Sequence, residues 1–431
     1  MIKRSTAMRA IPALVACLSA GHAAASGFQL WEQNASGIGN SYAGSAAVAE
    51  NASTVYFNPA GMTQLQGRNV SAGVTAVKTS YQFHNGASST GVLTGEADGG
   101  ATGYIPNGYF SMPLSKDLYF GLGIGAPFGL KTDYGSSWMG AAQSISFEVK
   151  TLNLNPSLAW RVNDTVSLGF GLDWQKINAK YKRLYAVTNA GTAGVTSAID
   201  ISDDTWGWNA GALFNVSPTT KVGVSYRSAM KYTATGNLSL SATPAGAGTL
   251  AALTFGLGAA TVNASADVKL PDTWIFSASQ TLNDRWDLLG DLSLTRWSSI
   301  PKIDIMYRSG NLNGTLAQSL ITDFRDTWRV ALGTNYKYSD QTTFKFGIAY
   351  DQTPVKSPAT RLVSLPDNNR FWLSFGVQHK PNKNSAVDVG VTRLFVKDPS
   401  INNDQSPARG LVNGTYSDSA WILGAQYSVS F

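Results

Sequence analysis

The chain has 431 residues, of which 43% are hydrophobic but only 14% charged, with 43 Gly, 12 Trp, 17 Tyr, 18 Phe and a formal charge of +6. Charged residues make up about a quarter of an ordinary soluble protein, yet the mean hydropathy is only −0.08, and beyond the leader no run approaches the ~18 consecutive apolar residues of a membrane helix. A helical membrane protein is excluded and a cytosolic enzyme disfavoured; hydrophobicity hidden by alternation belongs to an outer-membrane β-barrel.

In chain order, Lys3, Arg4 and Arg9 precede an apolar stretch from Ala10 to Ala20 and the small residues Ala23, Ala24 and Ala25. This pattern assigns residues 1–25 to a secretory signal peptide, with Ser26 as the first mature residue. Leu14-Val15-Ala16-Cys17 also fits a lipidation box, but that reading leaves a very short apolar core and an unused second cleavage site. Processing removes three of 33 basic residues and none of 27 acids, so the charge falls to +3 and the only Cys leaves. No disulfide, cofactor, metal site or nucleic-acid motif is then expected. The mature histidines, His84 and His379, carry no metal-ligand or triad spacing.

Residues 26–67 are rich in Gly, Ala, Ser and Asn, and hold Phe28, Trp31, Tyr42, Tyr56 and Phe57. Few charges and many aromatics argue against a disordered tail. A hatch of short helices and loops plugging a barrel lumen fits both features.

From residue 68 onward, stretches of about ten residues alternate apolar and polar side chains. Val166, Leu168, Phe170, Leu172 and Trp174, for example, oppose Ser167, Gly169, Gly171, Asp173 and Gln175. Fourteen strands are predicted, at 68–84, 104–114, 118–127, 145–162, 166–182, 204–216, 221–235, 267–280, 286–299, 325–338, 342–353, 370–380, 385–396 and 416–431. Connectors alternate short and long, as periplasmic turns and outer loops do. The fold class is therefore all-β: a 14-stranded antiparallel transmembrane barrel over residues 68–431 with an N-terminal hatch in its lumen. The last strand alternates Trp421, Leu423, Ala425, Tyr427, Val429 and Phe431, an ending suited to the barrel-assembly machinery.

Two stretches stand out. Gly121, Gly123, Gly125 and Pro127 in the third strand either mark a kink that opens the wall or make room for the hatch, and the two are compatible. A Gly123→Val change is expected to block uptake if the wall opens there. The connector 236–266 carries Leu250, Leu253, Phe255 and Leu257, an apolar stretch in a loop.

Gly27-Phe28-Gln29-Leu30, Gly37, Gly39-Asn40, Tyr42-Ala43-Gly44 and Asn58-Pro59-Ala60 resemble the hatch of FadL-type long-chain fatty acid transporters. Ala126-Pro127-Phe128-Gly129, Asn155-Pro156-Ser157, Tyr226-Arg227-Ser228, Leu270-Pro271-Asp272 and the run from Leu365 to Leu373 continue the resemblance through the chain. It implies a monomer set among outer-membrane lipid and lipopolysaccharide. It also implies passive uptake: capture by outer loops (Leu250, Leu253, Phe255, Leu257), transfer to a lumen pocket, and lateral exit at the third-strand kink. Phe28, Asn58, Pro59, Ala60 and Asp351 then serve hatch and gate. A fatty carboxylate calls for a basic partner; Lys176, Lys180, Arg325 and Arg329 are the candidates. A branch of the same family moves toluene-like hydrocarbons, which need no such partner, and remains the alternative substrate class. An outer-membrane hydrolase lacks its residues, and a general porin does not fit the hatch.

Overall fold

The computed structural model describes residues 27–90, 93–187 and 194–431; the leader assigned to residues 1–25, Cys17 included, and Ser26 lie outside them. Fourteen antiparallel barrel strands follow one another around a closed wall, six of them interrupted along their length. They are β1 (Asn69–Asn85), β2 (Thr102–Pro113), β3 (Leu118–Gly125 and Gly129–Asp133), β4 (Ser146–Arg161) and β5 (Val166–Val187). Next come β6 (Gly194–Ser217), β7 (Thr220–Arg227 and Met230–Ala242), β8 (Thr261–Leu270 and Thr273–Thr281) and β9 (Trp286–Thr295 and Lys302–Tyr307). The wall is completed by β10 (Leu316–Ile321 and Thr327–Lys337), β11 (Thr342–Asp351), β12 (Arg370–Asn382), β13 (Ser385–Val396 and Ser400–Asp404) and β14 (Leu411–Ser430). Pairing of β14 with β1 from Asn69↔Ser430 to Asn85↔Gly414 closes the ring. At its base Arg68 and Phe431 exchange two backbone hydrogen bonds of 2.9 Å.

The wall follows from the period of two. Leu168, Phe170 and Leu172 of β5 stand exposed on the outside, while Ser167, Asp173 and Gln175 are buried inside. Aromatic side chains ring both rims of the apolar band: Trp206, Trp208, Trp274, Trp328 and Trp421 toward the long loops, Trp160, Trp286, Tyr338 and Tyr427 toward the short turns. Most strands reach further toward the long loops than predicted, among them the eighth from Thr261, the ninth to Tyr307, the tenth from Leu316 and the thirteenth to Asp404, and two show the physical reason. β6 begins at Gly194, well before the expected 204, and β7 runs on to Ala242. Beyond the membrane the outer face meets water, so these extensions carry polar residues outside and apolar residues inside, against the alternation that marks the wall. The third strand breaks after Gly125 and resumes at Gly129 rather than running through 127.

Residues 27–67 fill the lumen with a 3₁₀ turn at Ile38–Asn40, the short helix α1 (Thr54–Phe57) and a second 3₁₀ turn at Pro59–Gln64. Small residues let backbones meet: a Cβ added to Gly39 would stand 2.8 Å from the Cα of Gly376. Three polar anchors fix the segment. Asn40 Nδ2 donates to the carbonyls of Thr334 (3.1 Å) and Phe346 (3.3 Å). Arg329 donates to the Ser41 carbonyl (2.6 Å) while its guanidinium lies between the rings of Trp31 and Trp372, 4.7 Å from each. Lys345, 3% exposed, bridges Glu50 of the hatch (2.7 Å) and Asp388 of β13 (3.1 Å).

Removing one partner of a buried ion pair costs roughly 3–5 kcal/mol, because the remaining charge loses its counter-ion. Lys345→Met leaves Asp388 beside Glu50 with no cation. Limited proteolysis of the folded variant is expected to cut residues 27–67 at protease levels that spare the wild type, with the strand circular-dichroism signal unchanged.

Candidate ligand-binding site

Above the hatch the inward face changes character. Along β5 it passes from Asp173 and Gln175 to Ile177, Ala179 and Tyr181, while Lys176, Lys180 and Lys182 turn outward. The same inversion brings Val149 of β4, Ile199 and Ile201 of β6, Val268 and Leu270 of β8, and Ile303 and Ile305 of β9 into one chamber. The free space between these side chains is about 50 Å³, far below the ~300–1,000 Å³ of occupied small-molecule sites, so a ligand enters only by parting them. Phe28 of the hatch closes the chamber from below, its ring 4.8 Å from that of Trp297 and 6.0 Å from that of Phe128.

One step higher on the same strands, above Tyr181, Leu320 and Ile305, stand Arg183, Gln318 and Tyr307. Arg183 is 6% exposed, donates from Nε to Gln318 Oε1 (2.8 Å) and from Nη1 to the Leu184 carbonyl (3.0 Å), and stacks on Tyr185. No carboxylate reaches it among the described residues, and the undescribed ones include no Asp or Glu. The charged side chain that influences it most is Arg409, also positive. A buried cation without a counter-ion at the roof of an apolar chamber is costly, and the chemistry that relieves it is an anion.

The wall has an opening beside the chamber floor. β2 pairs with β3 only from Gly108↔Ile124 to Pro113↔Tyr119. Past the break, β3 pairs with β4 alone, so Thr102–Asn107 present a β2 edge with no strand on that side. Residues Gly27–Leu30 cross the break instead: Leu30 N donates to the Pro127 carbonyl (2.8 Å) and Gly129 N to the Phe28 carbonyl (2.9 Å). Gln33 Nε2 donates to the Ala126 carbonyl (2.7 Å). The glycines serve the hatch as well. A Cβ at Gly125 would come 2.7 Å from Gln33 Oε1, and one at Gly123 would press on Tyr109 (3.1 Å) and Val55 (3.4 Å). Gly123 therefore faces the hatch below the opening, and a valine there disturbs hatch packing rather than filling the gap.

A model of the family described as Outer membrane protein transport protein (OMPP1/FadL/TodX) matches residues 16–431. The chain belongs to that family. It is 31% identical over 422 residues to the long-chain fatty acid transport protein of Salmonella typhi, covering 94% of each chain. To the Escherichia coli protein of that name it is 29% identical over 446 residues, covering 97% of each. Among solved structures, a Pseudomonas aeruginosa FadL homologue has a TM-score of 0.86 at 22% identity, over 94% of this chain and all of that one. The Ralstonia pickettii toluene transporter TbuX has a TM-score of 0.68 at 19% identity, over 93% and 100%. This is thus an outer-membrane β-barrel of a family of transport proteins, not of enzymes.

Within this FadL/TodX member the sequence-derived residues separate. Phe28 reaches the chamber and Pro127 the opening. Asn58, Pro59 and Ala60 lie lower: Asn58 Nδ2 donates to the carbonyls of Ala46 (2.7 Å) and Ala212 (2.9 Å), and its Oδ1 caps the turn through Ala60 N (3.1 Å). Asp351 is buried, 4.0 Å from Arg370 Nε; Arg370 also bonds Asp367, which accepts from Gly27 N (3.0 Å). In the helix α2 (Ala247–Leu257) Phe255 is 86% exposed, Leu250 and Leu253 are half-buried, and Leu257 is buried rather than available at the surface. None of the four basic candidates meets the chamber. Lys176 and Lys180 point outward, Lys180 pairing with Asp200 (3.2 Å). Arg325 bonds the Thr353 carbonyl (3.0 Å) at the rim, and Arg329 is committed to the hatch. The sequence reading missed Arg183, although the switch to inward apolar residues after Gln175 points to it.

Glu32 of the hatch is fully buried, with neither carboxylate oxygen hydrogen-bonded to another group. Burial pushes its carboxyl up to about 7, although Arg329 and Arg370 pull it back. A value raised above the ordinary 4.5 stabilises the hatch fully below that pH and is lost as pH climbs through about 7. Hydrogen exchange at residues 30–40 is expected to be faster at about pH 8 than the intrinsic rate change from about pH 5.5 explains. Glu32→Gln should remove that excess.

Proposed function

We propose that this protein carries long-chain fatty acids passively across the outer membrane. In this reading the loop apolar residues around Phe255 collect the ligand, the chamber holds its tail with the carboxylate on Arg183, and the acid leaves sideways between β2 and β3. The observation that carries it is the pairing of an all-apolar chamber with a buried arginine that has no acid partner. The fatty acid transport proteins aligned over nearly the whole chain support it.

Magnitudes set the order of events. At ~0.8 kcal/mol per buried methylene a sixteen-carbon tail gains on the order of 10 kcal/mol, so capture is favourable and release is the slow step. The four residues Gly27–Leu30 address that problem. They form the chamber floor through Phe28 and cover the wall opening through two backbone bonds. Each such bond contributes only about 1 kcal/mol net, so a modest push from the ligand suffices to move the segment. One displacement then lowers the floor and uncovers the exit together. Leaving through the wall keeps the tail out of water. The chain offers no energy-coupling motif, and the gradient of free acid drives the flux.

Displacement of a fluorescent fatty acid from the purified barrel tests the assignment. Oleate is expected to compete and toluene to compete only weakly. Arg183→Met should weaken oleate by about ten- to a hundredfold, the value of a charge-assisted hydrogen bond. Displacement by toluene alone, unaffected by Arg183→Met, would move the protein to the aromatic-hydrocarbon reading. The exit is tested by a disulfide between Asn107→Cys and Gly125→Cys, the next facing pair beyond Gly108↔Ile124. The oxidised variant should bind oleate normally yet fail to deliver it into proteoliposome lipid until reduced. Delivery at the wild-type rate while oxidised would contradict lateral exit.

A further inference from the structure

The barrel wall lapses at a second seam. β8 pairs with β9 from Ala264↔Tyr307 to Ala266↔Ile305, and pairing resumes only at Thr273↔Thr295. Between these points each strand keeps its other neighbour: β8 stays on β7 through Leu270↔Met230, and β9 on β10 from Lys302↔Ile321. The seam itself is splayed, and the turn Trp297–Ser299 is inserted below it.

The two faces of these splayed segments differ in chemistry. Inward, Val268, Leu270, Ile303 and Ile305 line the apolar chamber. Outward lies a concavity of about 350 Å³ lined by Lys231, Lys269, Lys302 and one acid, Asp267, and Val268 borders both spaces. Lys231 and Lys269 are direct cross-strand partners. Like charges so placed destabilise a sheet unless an anion sits between them. Two acids are near and both are engaged: Asp304 takes Lys302 at 2.6 Å, and Asp267, on the rim of the concavity, accepts from Thr233 Oγ1 at 2.9 Å. Among the described residues neither Lys231 nor Lys269 has a carboxylate within ion-pair distance. Their row stands above the outer aromatic ring at Tyr226 and Trp274, where the head group of an amphiphile lodged in the outer leaflet would reach.

We propose that Lys231, Lys269 and Lys302 form a carboxylate-collecting site at this seam, through which long-chain fatty acids already dissolved in the outer leaflet enter the chamber from the side. The lysines hold the head while the tail passes between Val268 and Ile303, a route that bypasses the loop around Phe255. The inference rests on the reading of the chamber as a fatty acid site and adds an entrance to it.

The test is stopped-flow binding of oleate and of its methyl ester, delivered from preloaded vesicles to the folded full chain. The triple variant Lys231→Gln, Lys269→Gln, Lys302→Gln, whose lysines line the outer concavity, is compared with wild type. Its association rate with oleate should fall about tenfold and lose its salt dependence, as removal of electrostatic steering requires. Its equilibrium affinity and its rate with the methyl ester should stay within about twofold, well inside one decade of binding constant. An unchanged oleate rate at normal affinity overturns the seam alone. An equal slowing of acid and ester overturns carboxylate recognition. Failure of wild type to bind oleate at all overturns the chamber reading and the entrance with it. A diazirine placed beside the fatty acid carboxyl and flashed during the association phase gives a second readout: it should label peptides spanning 267–270 and 299–304 before the peptide that carries Arg183, and early labelling confined to residues 247–257 overturns the proposal.

Discussion

Lipid offers a strand edge no hydrogen-bond partner, so a barrel wall is stable only where its backbone ladder is closed or where something covers the break. Most of this molecule obeys the first condition through the ring completed by β14 and β1. Its function is written in the places that obey only the second. Between β2 and β3 the edge at Thr102–Asn107 has no strand beside it among the described residues, and the lumen segment Gly27–Leu30 bonds the broken β3 through its own amide and carbonyl. Between β8 and β9 the seam is underpinned by Trp297, fully buried against Phe28 and Phe324. Phe28 thus touches the chamber, the covered exit and the residue beneath the second seam. A door in such a wall needs a cover that can leave, and four residues joined by a few weak bonds meet that need better than a strand does.

The hatch must be movable at one end and fixed at the other. Its far end is fixed by charged and amide groups: Lys345 between Glu50 and Asp388, Arg329 between two tryptophans, and the Asn40 amide on two wall carbonyls. Apart from the Glu50 carboxylate, which is 29% exposed, those groups are buried, so releasing the segment from Ser36 to Gln64 is costly. Gly27–Leu30 carries no charged side chain and is held by backbone bonds, by the Gln29 amide between Thr273 (3.2 Å) and Thr295 (3.0 Å), and by the Gly27 contact with Asp367. The split between a bolted base and a loosely held tip follows from where the charges lie.

Much of this was legible in the sequence because lipid enforces a period of two. All fourteen strands, the short-and-long connectors, the lumen segment and the break near Pro127 could be read from alternation, composition and glycine placement. What failed did so for one reason. The reading equated outward with apolar, which holds only within the membrane. Above it the rule inverts, so the early part of β6 and the late part of β7 were taken for loop, and Lys176 and Lys180 were offered as inward ligands. The same inversion hid Arg183, which follows Ile177, Ala179 and Tyr181 at the spacing of one inward face. Arg329 was placed inward correctly, but no sequence pattern reveals that Trp31, nearly 300 residues away, stacks on it. The opening at β2–β3 was suggested by glycine and proline; at β8–β9 Pro271 is a comparable mark, but the predicted strand 267–280 ran through it and the seam was missed.

The claim on which the rest depends is that the chamber receives a fatty tail beneath an arginine-bound carboxylate. A crystal structure of the barrel with a fatty acid brominated at its terminal carbon addresses it directly, through the anomalous signal of the bromine. The expected result is bromine within the chamber bordered by Ile177, Val268 and Ile303, with the carboxylate on the Arg183 guanidinium. Bromine confined to the outer loops, or a carboxylate bound away from Arg183 with the chamber empty, would contradict the account.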